Sequence, residues 1–184
     1  MSLRELRRVC EDGLANLPIP TKFSIPALVR NMEQARHRRI VLVPLPDRMV
    51  HPNTACGLRV KAPEFSMILF RRRPTVYQTD HVILHELTHE WFDHGGTLSL
   101  EDLQKMMPVF NTTLLHRFVG DRPIQARANY ESKDEKVAEL GASLIRRMAR
   151  DVASDDMLGR LGDSLSRPVG GRRFRRRPFT NPRS

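Results

Sequence analysis

Four stretches of the chain repeat apolar residues at helical spacing, and between them lie short apolar runs of strand length. Ser2-Leu3-Arg4-Glu5 has the form of a capping box, and Leu3, Leu6, Val9 and Cys10 follow at helical intervals until Gly13, Pro18 and Pro20. A second helix opens at Ser24, accepts Pro26 in its first turn and turns Leu28, Val29, Met32 and Ala35 inward. Ile40-Val41-Leu42-Val43 is a continuous apolar run stopped by Pro44 and Pro46, which reads as a strand. Residues 56–61 and 66–70 are two further strands, joined through Pro63-Glu64 as a hairpin. Pro74-Thr75 launches a third helix that Gly95-Gly96 is expected to end. A long helix follows from about Glu131 to Val152, with Val137, Gly141, Leu144, Ile145, Met148 and Val152 inward.

Between the last two helices the pattern weakens. Ser99 caps a short segment whose apolar positions are Leu100, Leu103, Met106 and Met107, and Pro108 closes it. Residues 120–129 are polar and read as a loop flanking a cleft. Beyond Asp155 the periodicity is lost, and residues 164–184 are mostly Arg, Pro, Gly and Ser, the composition of a disordered tail.

The third helix carries the chemistry. Stepping about 100° per residue puts Ile83, Leu84, Leu87 and Trp91 on one side and His81, His85, Glu86 and His89 on the other. His85-Glu86-Leu87-Thr88-His89 is an H-E-x-x-H sequence, in which two imidazoles four residues apart on one helical face reach a single ion. A catalytic zinc takes three protein ligands and keeps one position for water, and Glu86 stands where it can accept that water's proton. On the last helix Glu135 shares a face with Ala138, Ala142 and Ile145, small enough residues to let that helix approach and bring a carboxylate to the metal. Glu139, one turn on, and Glu131 are alternatives for the same role; all three also suit the positive end of a helix. Tyr130, His116 and His81 are the candidates for stabilising a developing oxyanion.

Composition narrows the class. With 184 residues, 40 % apolar and 28 % charged, the chain suits one domain with a sizeable core. No apolar run is long enough for a membrane helix, and no apolar secretory core follows Met1, so a cytoplasmic protein without membrane insertion is expected. Cys10 and Cys56 are spaced as small core residues, not as a metal clip. The net charge of +10 is uneven: residues 167–184 hold seven arginines and no acid, leaving +3 for the other 166 residues. Nucleic-acid contact is therefore expected to be weak and confined to that tail, where Phe174 and Phe179 interleave with arginine. Arg71-Arg72-Arg73 reads as a solvated charge run at a strand end.

The stretch from His85 to His94 resembles the H-E-L-x-H-x-x-x-x-H motif of the ImmA/IrrE family of zinc metallopeptidases, and residues 135–142 look like that family's E-x-E-A-x-x-F-A helix, with Val137 in place of the second glutamate. The resemblance implies an α+β fold: a mainly helical, minimal zincin-like metallopeptidase domain over residues 1–155 with a small antiparallel sheet, followed by the disordered basic tail. It implies Zn2+ held by His85, His89 and Glu135, with Glu86 as general base and no other cofactor. It also implies a protein substrate, a helix-turn-helix transcriptional repressor cleaved in a stress response or within a toxin–antitoxin-like gene pair. The competing expectation is a non-hydrolytic regulatory or toxin-like protein-binding module with a structural zinc.

Overall fold

The computed structural model describes residues 1–45, 57–62, 64–95, 125–126 and 132–166. The elements in chain order are α1 (Leu3–Leu14), α2 (Ile25–Arg36), β1 (Arg39–Leu45), β2 (Gly57–Lys61), β3 (Phe65–Arg71), α3 (Val76–Trp91), the two-residue β4 (Gln125–Ala126) and α4 (Ser132–Ser166). The fold is α+β. No helix among the described residues is long and apolar enough to cross a membrane.

Local chemistry sets the helix starts. Ser2 accepts from the Glu5 amide while the Glu5 carboxylate accepts from the Ser2 amide, a complete capping box. Ser24 caps α2 ahead of Pro26, and Thr75 with Gln78 makes a second capping box at α3. On α1 the inward residues are Leu6, Cys10 and Leu14, whereas Leu3 and Val9 are exposed; on α2, Leu28, Val29 and Met32 are buried and Ala35 is not.

The ends of the elements depart from expectation. Helix α3 stops before Gly95: Asp93 takes the left-handed conformation at φ 52°. The His94 amide donates to the His89 carbonyl and the Asp93 amide to the Glu90 carbonyl, at 3.0 and 3.2 Å. That is the Schellman closure, with aspartate where glycine is usual. Strand β1 runs through Pro44 to Leu45; it lies at the sheet edge, where a missing N–H costs no ladder bond. Helix α4 passes residue 155 unbroken and takes in residues 164–166, while 167–184 lie outside the described residues, as do the expected short helix near 99–108, the 120–124 part of the loop, and Cys56.

The sheet is mixed, not antiparallel. Strand order is β1-β3-β2-β4: β2 and β3 form the expected hairpin, β4 adds antiparallel to β2, and β1 pairs parallel to β3 with Ile40 opposite Ser66. A run such as 40–43 shows that a strand forms but not which neighbour accepts it, and β1 pairs with the strand after next. Helix α3 packs on β3 and β2 with one side and on α4 with another, and α1 and α2 complete a core that includes Cys10, Met32, Ile68, Leu84, Leu87 and Ile145.

The α3–α4 contact is close because of Gly141. A Cβ at that position would lie 2.5 Å from Thr88 Cγ2, well inside contact distance. Thr88 is fully buried and its hydroxyl donates to the Leu84 carbonyl at 2.8 Å, so it has little freedom to yield. Gly141→Ala should therefore lower stability by about 1–3 kcal/mol despite alanine's better helix propensity. Adding Thr88→Ser, which removes the opposing methyl, should recover a good part of that loss in urea unfolding; strictly additive effects would show that the two positions do not meet.

Candidate metal centre

Helix α3 presents His85 and His89 one turn apart, and α4 brings Glu135 to the same point. His85 Nε2 and His89 Nε2 are 3.1 Å apart. Glu135 Oε2 lies 3.4 Å from His85 Nε2, and Oε1 lies 3.5 Å from His89 Nε2. A zinc with bonds of 2.0–2.1 Å in a tetrahedral arrangement needs its ligand atoms about 3.3–3.4 Å apart. These three side chains are the group of potential ligands that the described residues bring together, and they can hold a metal ion.

The other ring nitrogens agree with that role. If both Nε2 atoms offer lone pairs, both Nδ1 atoms carry hydrogen and need acceptors. His85 Nδ1 has Glu139 Oε2 at 3.5 Å, and His89 Nδ1 has His94 Nδ1 at 3.0 Å. His94 in turn directs Nε2 toward Asp134 Oδ1 at 3.8 Å. Carboxylates and imidazoles behind a ligand histidine fix its tautomer and ring orientation. Glu139 is therefore placed behind His85, not beside Glu135, and it also holds His81 Nε2 at 2.9 Å. Glu131 lies outside the described residues, as do Tyr130 and His116; His81 is engaged by Glu139.

Glu86 is 3 % exposed, and its Oε2 has no hydrogen-bond partner among the described residues. It packs against the backbone at Gly57, where a Cβ would come within 2.4 Å of Oε1. Burial pushes its carboxyl up to about 8, the nearby Glu135 charge adds to the rise, and Arg59 opposes it. An orphaned buried carboxylate oxygen beside three convergent metal-type donors fits a site that takes a cation and a water. Along the polar side of α3, His89 is fully buried, whereas His85 is partly exposed and Glu135 of α4 is half-exposed beside it.

A buried ionic cluster, absent from the sequence reading, fixes the far end of α3. Arg59 on β2, 1 % exposed, pairs with Glu90 Oε2 at 2.9 Å and donates to the His89 and His94 carbonyls. Ser66 donates to Glu90 Oε1 at 2.8 Å, and Arg38 donates to the Ser66 hydroxyl at 3.0 Å. Burial raises the Asp93 carboxyl, but Lys61 and Arg59 outweigh it and hold the group below its ordinary value. A cation against the last carbonyls also suits the negative end of the helix. Alternation on β2 could not have revealed this, because Leu58, Arg59 and Val60 are all buried in succession.

No protein-family model, curated protein or solved structure matches this chain.

The raised Glu86 value fixes a pH dependence. The folded metal-free protein keeps a proton on Glu86 up to about 8, whereas the unfolded chain loses it near the ordinary 4.5. The folded state thus binds more protons between those values, and this contribution to stability, complete below 4.5, is lost as pH rises toward 8. Glu86→Gln should stabilise the metal-free protein at pH 8 by about 1–3 kcal/mol and flatten its stability profile between pH 5 and 8. An unchanged slope in denaturant titrations of the variant would show that Glu86 is not the group responsible.

Proposed function

We propose that this chain is a zinc-dependent endopeptidase of the ImmA/IrrE kind, acting in the cytoplasm on a regulatory protein, a helix-turn-helix repressor by preference. The observation that carries the reading is the convergence of His85, His89 and Glu135, 3.1–3.5 Å between ligand atoms, next to a buried Glu86 oxygen that lacks a partner. Zinc at that point would supply Lewis acidity to a peptide carbonyl and a water of lowered pKa.

The chain's own residues account for the remaining work. His85 and His89 would hold the ion through Nε2, with Glu139 and His94 facing their Nδ1 atoms. Glu135 adds a carboxylate, which limits the net charge that the bound cation leaves in the site. Glu86 Oε2 is the atom that accepts a proton from the attacking water and returns it to the leaving amine. A cation beside Glu86 would oppose the burial that raises its carboxyl, so the metal-loaded protein would have the ionised base that the metal-free protein lacks near neutrality. A purely structural zinc would call for four closed ligands and no buried free carboxylate.

Two measurements test this. Purified without chelators, the protein should carry about one zinc per chain by mass spectrometry. His85→Ala and His89→Ala should lose it, and Glu135→Ala should weaken binding more than Glu139→Ala, whose effect is about 10–100-fold at most through ring orientation. Full occupancy in the double histidine variant rules the site out. The second is cleavage: with a helix-turn-helix regulator encoded nearby as substrate, Glu86→Gln should retain zinc and cut at least about 100-fold more slowly. Undiminished cutting by that variant removes Glu86 from the mechanism, and regulation that persists without any cutting returns the protein to the binding-module reading.

A further inference from the structure

At the opposite end of the α3–α4 pair lies a cavity of about 650 Å3, lined by Lys22 and Phe23 from the α1–α2 connection, Tyr77 from α3, and Arg146, Ala149 and Arg150 from α4. Its size is that of a small-molecule site. Among the described residues the lining contains three cationic residues and no acid. No carboxylate among the described residues pairs with Lys22, Arg146 or Arg150, whereas neighbouring Arg147 pairs with Glu11.

Arg146 is held in place. It donates to the Tyr77 carbonyl at 2.6 Å and stacks 4.0 Å from the centre of the Tyr77 ring. Its Nε is shut off from solvent and has no acceptor. A buried guanidinium donor without an acceptor is costly, and the cavity beside it carries the charge of Lys22 and Arg150 as well. Tyr77 is 64 % exposed, so its ring is accessible to a ligand in the cavity.

We propose that this cavity binds a small phosphate-bearing ligand with a planar ring, of the nucleotide type. Lys22 and Arg150 take the phosphates, with Arg146 contributing the fixed positive charge between them; Tyr77 and Phe23 take the ring. Arginine forks match phosphate oxygens, and an aromatic face stacks a base with no need for sequence readout. The site is independent of the metal reading. Tyr77 is twelve residues from His89 along α3, about 18 Å, and the cavity shares no residue with the metal group.

The test is calorimetric titration of the full-length protein with ATP, pyrophosphate and adenosine, at about 0.15 M salt. ATP should bind with a Kd below about 1 mM, pyrophosphate more weakly, and adenosine undetectably at that concentration. Lys22 and Arg150 are exposed and make no hydrogen bond or ion pair among the described residues, so Lys22→Ala/Arg150→Ala should keep the melting temperature and weaken ATP at least about tenfold. Tyr77→Ala should weaken ATP but leave pyrophosphate unchanged. The arginine-rich residues 167–184 are present in every variant, so only binding lost on substitution counts for the cavity. Absence of ATP binding, adenosine binding equal to ATP, or ATP binding that survives the double substitution would overturn the proposal. Titrating His85→Ala/His89→Ala as well separates the two sites: ATP affinity should be unaltered there.

Discussion

Glu135 reaches the two histidines because α4 crosses α3 with no side chain between them at Gly141. A third ligand carried on a different helix has to arrive to within a few tenths of an ångström, since a metal tolerates little spread in its bond lengths. The fully buried Ala138 and Ala142 flank Gly141 on the same face, and Thr88 of α3 occupies the space that glycine leaves. At the other side of α3, Gly57 gives Glu86 room against the backbone of β2. Two positions without a Cβ thus set how near α3 lies to each of its neighbours, one against Thr88 and the other against Glu86.

The charges around the centre pull in one direction. Asp134, Glu135 and Glu139 sit in the first turns of α4, and the Glu135 charge acts on Glu86 of α3. The positive end of α4 tolerates acids, but it does not neutralise a carboxylate buried as deeply as Glu86. Arg59 is the cation that acts on it, and Arg59 is itself committed to Glu90 and to the helix carbonyls. The choice left to the folded chain is to keep a proton on Glu86 or to accept a cation from solution. On the proposed reading, the proton and a metal would be alternatives at this site, and a group that is a neutral acid in one state would serve as a base in the other.

What could be read from the sequence was what depends on neighbours a few residues away. Helical periodicity sorted α3 into Leu84, Leu87 and Trp91 against His85 and His89, and the caps at Ser2, Ser24 and Thr75 marked three helix starts. The hairpin of β2 and β3 followed from a turn between two apolar runs. What could not be read depends on tertiary partners. The place of β1 beside β3 comes from packing, not from its own four apolar residues. Asp93 assumes a glycine's conformation because Lys61 and Arg59 hold its carboxylate while Arg59 also takes the carbonyl of His94. The choice between Glu135 and Glu139 turns on which nitrogen of His85 each one meets, a distinction invisible in residues one helical turn apart.

One pair of helices therefore presents acids at one end and arginines at the other. Glu135 and Arg150 are fifteen residues apart on α4, about 22 Å along the axis. In physiological salt the screening length is about 8 Å, so charge alone carries little between the metal group and the basic cavity. Any influence of one on the other has to pass through the packed crossing at Gly141 and Thr88, where sliding by a fraction of an ångström would bring backbone against a methyl group. The proposed metal group and the proposed cavity thus share no residue and little charge coupling, and each can be tested without the other.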